Sequence, residues 1–230
     1  MKNYLRLSLA VFALMFFFSV VNVKAQAGIV NEILNRMNEH YKVLTSLKSN
    51  IMMDKYNAQL DEHDVTSGSV IYLPTKGKDA TVRIDWTKPF QETLAVKDKK
   101  YVLYRPRLNQ AIIGNVTNTA QQNTQGAGLL DFMNMSKEQL KETYSYKYLG
   151  QENIAGGVQV WHLELTPKTA KSYKTSDIWV TGNGMPIQTK VTEKNNDTTT
   201  ILLSNLQENV TINGSEFKVN LPKGTTIIKN

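Results

Sequence analysis

Cysteine is absent from all 230 residues. Disulfides, cysteine-type structural zinc and a thiol nucleophile are therefore excluded. So is a lipid anchor carried on a cysteine at an export cleavage point. Histidine is scarce: His40, His63 and His162 are the three, and no two stand at metal-ligand spacing. Neither a metal nor an acid–base centre is expected from them. Ser67-Gly-Ser69 and Gly77-Lys78 lack the glycine spacing of a nucleophile elbow or a phosphate loop. Asp61-Glu-His-Asp64 lacks the spacing of a calcium loop and reads as a solvated turn. No catalytic residue, metal or cofactor is expected, and no repeat or low-complexity linker divides the chain.

What is present begins with the first 27 residues. Lys2 and Arg6 precede an apolar stretch from Leu7 to Val21, and Ala25-Gln26-Ala27 supplies small residues for signal-peptide cleavage. The stretch is short for a membrane span. The expectation is a cleaved leader over residues 1–27 and an exported, non-lipidated domain over 28–230, placed in the periplasm. The full-chain charge is +7, and Lys2, Arg6 and Lys24 lie in the leader, so the mature chain carries about +4. That mild excess and the compartment argue against nucleic acid. About 200 residues suffice for one good core.

Asn31 to Leu47 reads as an amphipathic helix, with Ile33, Leu34, Met37, Tyr41, Leu44 and Leu47 at three- and four-residue steps. The period then changes to two. Strands are expected at Ser69–Leu73, Thr81–Trp86, Phe90–Val96, Tyr101–Arg105 and Gln110–Ile113, joined by short turns that allow only antiparallel hairpins. Gly114 to Gly128 has no apolar period and reads as a long flexible loop. Two short helices follow, over Leu129–Met135 and from Ser136, where Ser136 and Gln139 form a capping-box pattern. Strands resume at Tyr144–Leu149, Val158–Leu165, Ser176–Val180, Ile187–Glu193, Thr198–Leu206, Val210–Ile212 and Phe217–Val219.

Alternation assigns an interior face. Val82, Ile84 and Trp86 share one face of their strand, opposite Arg83 and Asp85; Leu94 with Val96, Trp161 with Leu163, and Ile178 with Val180 do the same. His162, between Trp161 and Leu163, turns outward. The parities of Ser69–Leu73 and Tyr101–Arg105 stay open, because both faces there are apolar or aromatic. About eleven apolar-faced strands against one long helix leave too little helix to cover the sheet. It must curl on itself or enclose an apolar ligand.

The order of these parts resembles the periplasmic carriers of outer-membrane lipoproteins, the localisation factor A family. Trp86-Thr-Lys-Pro89 through Leu94-Ala-Val96, Tyr101 to Tyr104, Pro106 and Gln110-Ala111 carry the likeness. So do Leu163-Glu-Leu-Thr-Pro-Lys168, Ile178-Trp-Val180 with Gly182 to Pro186, and Phe217 to Gly224. The resemblance implies one strongly bent antiparallel sheet, an unclosed barrel (mainly β, with helices as a lid), that carries lipoprotein acyl chains in an apolar cavity. The cavity would be lined by Val82, Ile84, Trp86, Leu94, Val96, Trp161, Leu163, Ile178 and Val180, with Leu129, Leu130, Phe132 and Met133 in the lid. It also implies an inner-membrane lipoprotein-releasing transporter and an outer-membrane receptor as partners, and a monomer. Lys168, Lys171 and Lys174, on a loop after Pro167, read first as a solvated loop and second as a contact for an acidic receptor. Family members carry an arginine before the proline that ends an early strand; with Tyr72-Leu-Pro74 matched to that segment, Leu73 takes its place. A carrier or sensor of another amphiphile, such as a glycolipid, is the alternative on the same fold.

Overall fold

The computed structural model describes residues 21–74, 80–115 and 132–230. The loop expected at Gly114–Gly128 lies almost wholly outside these residues, as do Leu129 and Leu130. Among these residues twelve strands form one sheet, which runs from edge to edge in the order β12-β6-β5-β4-β3-β2-β1-β11-β10-β9-β8-β7. The two edge strands do not pair with each other, so the barrel is unclosed. The strands are β1 Leu47–Asn57, β2 Glu62–Leu73, β3 Thr81–Lys88, β4 Glu92–Lys97, β5 Lys100–Arg105, β6 Gln110–Asn115, β7 Tyr144–Ile154, β8 Val158–Pro167, β9 Tyr173–Thr181, β10 Pro186–Glu193, β11 Thr198–Glu208 and β12 Thr226–Lys229. Among the described residues, two helices of more than one turn accompany them, α1 Val21–Val43 and α2 Lys137–Thr143.

Helix α1 starts earlier than Asn31 and stops at Val43, not Leu47. Leu47 instead opens β1, which pairs with both β2 and β11 and was not expected. Its Met52-Met53 pair and its polar positions on both faces obscure the alternation. His63 is on β2, not in a loop, with Nδ1 2.9 Å from Asp54 on the neighbouring strand. α2 has the anticipated cap: the Ser136 hydroxyl accepts from the Gln139 backbone N–H, and the Gln139 side chain accepts from the Ser136 N–H.

The C-terminal part departs most. Residues 210–212 are not a strand, and Gly214–Phe217 is a 3-10 turn. This segment is strapped across the sheet. Arg83 donates to the carbonyls of Glu216 at 3.0 Å and Lys218 at 2.9 Å, Lys48 meets Glu216 at 2.8 Å, and Phe217 is buried. The strap delivers the chain to β12, which pairs with β6 and is parallel to it. Every other pairing in the sheet is antiparallel.

Paired residues of neighbouring strands share a face, so the register traces one surface across the sheet. Leu163 opposes Ile178, Ile178 opposes Thr189, Thr189 opposes Ile201, and Ile201 opposes Met53. On the same face of β1, Ile51 opposes Gly68, which opposes Trp86. Gly68 stands at the β2–β3 bulge, where a Cβ would come within 2.1 Å of the Asp85 carbonyl oxygen. From β3 the face continues through Ile84, Leu94 and Leu103. It is apolar for nearly its whole length.

Candidate functional site

All nine residues assigned to the interior by alternation fall on this face. The structure divides them between two packed clusters. Val82, Ile84, Trp86 and Leu94 are buried with Ile51, Met53, Ile201 and Leu203, and Val96 packs against them. Leu163, Ile178 and Val180 are buried with Ile33, Leu34 and Met37 of α1 and with Leu140 of α2, and Trp161 packs at their margin beneath the Arg36 guanidinium. The open parities resolve as well. Val70 and Tyr72 oppose Ile84 and Val82, and Tyr101 opposes Val96, which places all three on the same face.

The cover over the second cluster consists of α1, α2 and residues 132–135. Phe132 and Met133 are buried, Phe132 against the Tyr144 ring at 5.7 Å and Met133 in the first cluster. A row of asparagines on α1 holds α2 from outside. The Lys141 ammonium donates to Asn31 Oδ1 at 3.1 Å, the Lys137 ammonium donates to Asn35 Oδ1, and the Lys137 backbone N–H reaches Asn38 Oδ1 at 3.4 Å. All but the last are exposed contacts, and exposed contacts of this kind contribute little stability. Lys168 donates to the Lys141 carbonyl at 2.6 Å, while Lys174 lies in β9 and not on the expected loop.

Between α1 and residues 132–135 lies a small cavity of about 10 Å³, room for a single water. Met37, His40, Tyr41, Leu44, Phe132, Met133, Met135 and Pro186 line it. His40 is 7% exposed, and its Nε2 is buried without a hydrogen bond, 3.8 Å from Glu208 Oε2. Burial pushes the imidazole below its ordinary value, against the opposing pull of Glu208, so it is neutral at neutral pH. Metal-ligand spacing, the criterion applied to the histidines, does not register the burial of His40. Its spacing from Ile33, Met37 and Leu44 puts it on the apolar stripe, and that signal was available. Burial also raises the Tyr41 and Tyr146 hydroxyls above their usual range.

His162 is on the opposite face from Leu163, as alternation requires, but it is not solvated. Its Nδ1 is 2.9 Å from Glu152 and its Nε2 2.8 Å from Asp177, and it stacks on Trp179 at 4.2 Å. Each ring nitrogen is occupied by a carboxylate, and the network clamps β7, β8 and β9 together from outside. No cluster of three metal-ligating side chains occurs among the described residues.

A family profile described as outer membrane lipoprotein carrier protein LolA matches residues 76–220. The chain belongs to this family. Among LolA-family relatives, the outer-membrane lipoprotein carrier protein of Pseudomonas fluorescens (strain Pf0-1) is 27% identical over 196 residues, covering 85% of this chain and 86% of that one. Similar solved folds include an uncharacterised conserved protein from Thermus thermophilus (TM-score 0.54, 12% identity, 87% and 99% of the two chains). Another is LprF from Mycobacterium bovis (TM-score 0.51, 12% identity, 82% and 98% of the two chains). At such identities these two show a shared fold alone. The LolA match ends at residue 220, short of β12. Among the described residues, no helix is long and apolar enough to cross a membrane.

Proposed function

We propose that this chain is a periplasmic carrier that takes the acyl chains of a lipoprotein from an inner-membrane releasing transporter and hands them to an outer-membrane receptor. Residues 1–27 serve as the cleaved export leader, and the domain from residue 28 acts without a lipid of its own. The observation that carries this reading is the apolar face from Leu163 to Leu94, covered in part by α1 and by the short α2, which α1 holds through exposed asparagine–lysine contacts.

Beside α1, the described residues leave little room for a ligand. A pocket for a lipid-sized ligand needs roughly 300 Å³ or more, against the cavity of about 10 Å³ beside α1. Loading therefore requires α1, α2 and residues 132–135 to move off the sheet, so that acyl methylenes replace Ile33, Leu34, Phe132 and Leu140. Each buried methylene contributes about 0.8 kcal/mol, so one long chain gains on the order of 10 kcal/mol before ordering costs. Against it stands the burial of Ile33, Leu34, Phe132 and Leu140, about 1.5–3 kcal/mol each, so cover and cargo compete on nearly equal terms and the exchange is reversible. No covalent chemistry is involved. Val82, Ile84, Trp86, Leu94, Val96, Trp161, Leu163, Ile178 and Val180 form the greasy wall, and Phe132 and Met133 are the described part of the lid; Leu129 and Leu130 complete it in this proposal.

The test is to mix the purified mature protein with a radiolabelled triacylated lipoprotein in dilute detergent and remove the detergent. Retention of the lipoprotein in a soluble complex supports the reading. Precipitation of the lipoprotein, together with tight uptake of an unacylated amphiphile, rejects it in favour of a carrier for other cargo.

A further inference from the structure

Of the buried polar atoms without a hydrogen bond, which include the Tyr146 hydroxyl and Ser176 Oγ, one belongs to the cavity beside α1. His40 Nε2 is buried without a hydrogen bond, its charged neighbour Glu208 Oε2 standing at 3.8 Å, beyond hydrogen-bond reach, and its side chain lines the cavity with Met37, Tyr41, Phe132, Met133 and Met135. A buried polar group without a partner is costly, and proteins retain such a group where a ligand or water completes it. A water fits the cavity of the unloaded protein. The lining selects a different partner on loading, because a ligand that is hydrocarbon along its length and carries one hydrogen-bonding group at its head matches both features. The Glu208 carboxylate, 3.8 Å from Nε2, favours the tautomer with its proton on that nitrogen. The group sought is then an acceptor.

We propose that His40 is the polar anchor of the cargo: its Nε2–H donates a hydrogen bond to the ester carbonyl at the head of an acyl chain whose methylenes enter between α1 and residues 132–135. This rests on the carrier reading and adds selectivity to it. Apolar walls recognise hydrocarbon by volume, whereas His40 recognises how the hydrocarbon is attached. It also sets the direction of loading, with the linkage near the C-terminal end of α1 and the chain tail running along the sheet face.

The test compares a synthetic diacylglyceryl lipopeptide with its dialkyl ether twin, which has the same chains but no carbonyl. Affinities are measured by titration for the wild-type mature protein, His40→Phe and His40→Gln, with thermal melts to establish that each is folded. The wild type should prefer the ester by about five- to tenfold, the effect of one buried hydrogen bond. His40→Phe should lose that preference while still binding the ether, and His40→Gln, whose amide keeps a donor, should retain part of it. An equal preference in wild type and His40→Phe, or no preference in the wild type, overturns the anchor and leaves the carrier standing. If His40→Phe does not fold, His40→Gln and the wild-type ratio still decide. Failure of the wild type to bind either lipopeptide overturns the carrier reading itself.

Discussion

The backbone of Arg36 occupies the space that a side chain at Gly184 would need. A Cβ at Gly184 would come within 2.2 Å of the Arg36 carbonyl oxygen, and the glycine has φ 91°, a conformation other residues rarely adopt. This contact, between the β9–β10 turn and α1, fixes how closely the helix sits over the sheet. The Arg36 guanidinium reinforces it by donating to the Gly182 carbonyl at 2.9 Å.

Gly184→Ala should therefore lift α1. Positive φ alone costs a non-glycine residue about 1–3 kcal/mol, and the clash adds to it. The expected outcome in urea unfolding is a loss of at least about 2 kcal/mol, with faster hydrogen exchange along α1. A variant within about 0.5 kcal/mol of wild type would show that the helix is not seated by this turn.

The contacts from Asn31, Asn35 and Asn38 to Lys137 and Lys141 are the external latch on α2. The double change Lys137→Ala with Lys141→Ala should shift the melting temperature by less than about 4 °C. It should, however, speed hydrogen exchange in residues 132–143 and accelerate lipid uptake. Unchanged exchange there would remove these contacts from the opening step.

Packing on the sheet face is checked by Ile84→Ala and Leu163→Ala, both essentially fully buried and in different clusters. Each should cost about 2–5 kcal/mol in chemical denaturation, and the double change should be close to additive. A cost under about 1 kcal/mol at either site would mean that the wall is not packed there.

His40 gives stability a defined pH dependence. Its proton affinity is lowered by folding, so the unfolded chain takes up a proton near pH 6.5 while the folded chain does so only at lower pH. Unfolding then binds protons, and the His40 contribution falls as pH drops below about 6.5, by at most about 1.4 kcal/mol per pH unit within the window between the two values. Denaturation curves for wild type and His40→Gln between about pH 7 and pH 5 should diverge, with the variant less sensitive to acid. Identical slopes would contradict the neutral, buried imidazole.

Sequence revealed the fold where polar and apolar residues alternate sharply. Val82, Ile84 and Trp86 between Arg83 and Asp85 state their face outright, and the register places Leu94, Leu163 and Ile178 on the same surface. β1 was not visible, because Met52 is 39% exposed beside the buried Met53, which hides the period of two. β12 was missed for the opposite reason: Ile227 and Ile228 are both exposed, and the pairing with β6 joins segments far apart in the chain. The His162 network depends on a bulge between Tyr148 and Gly150 that brings Glu152 opposite Val160, and no local pattern announces such a shift. The His40 cavity needed the three-dimensional meeting of α1 with residues 132–135, although the stripe position of His40 hinted at its burial.

Whether the apolar face carries an acylated polypeptide is decided by native mass spectrometry of the mature protein purified from the periplasm of cells with intact lipoprotein synthesis. A population carrying one cargo per chain is expected, whose mass on release is that of a triacylated lipoprotein, and that population should shrink when the partly exposed wall residue Trp161 is replaced by Asp. Cargo consisting only of unacylated small molecules, with lipoprotein absent under the same conditions, would contradict the carrier reading.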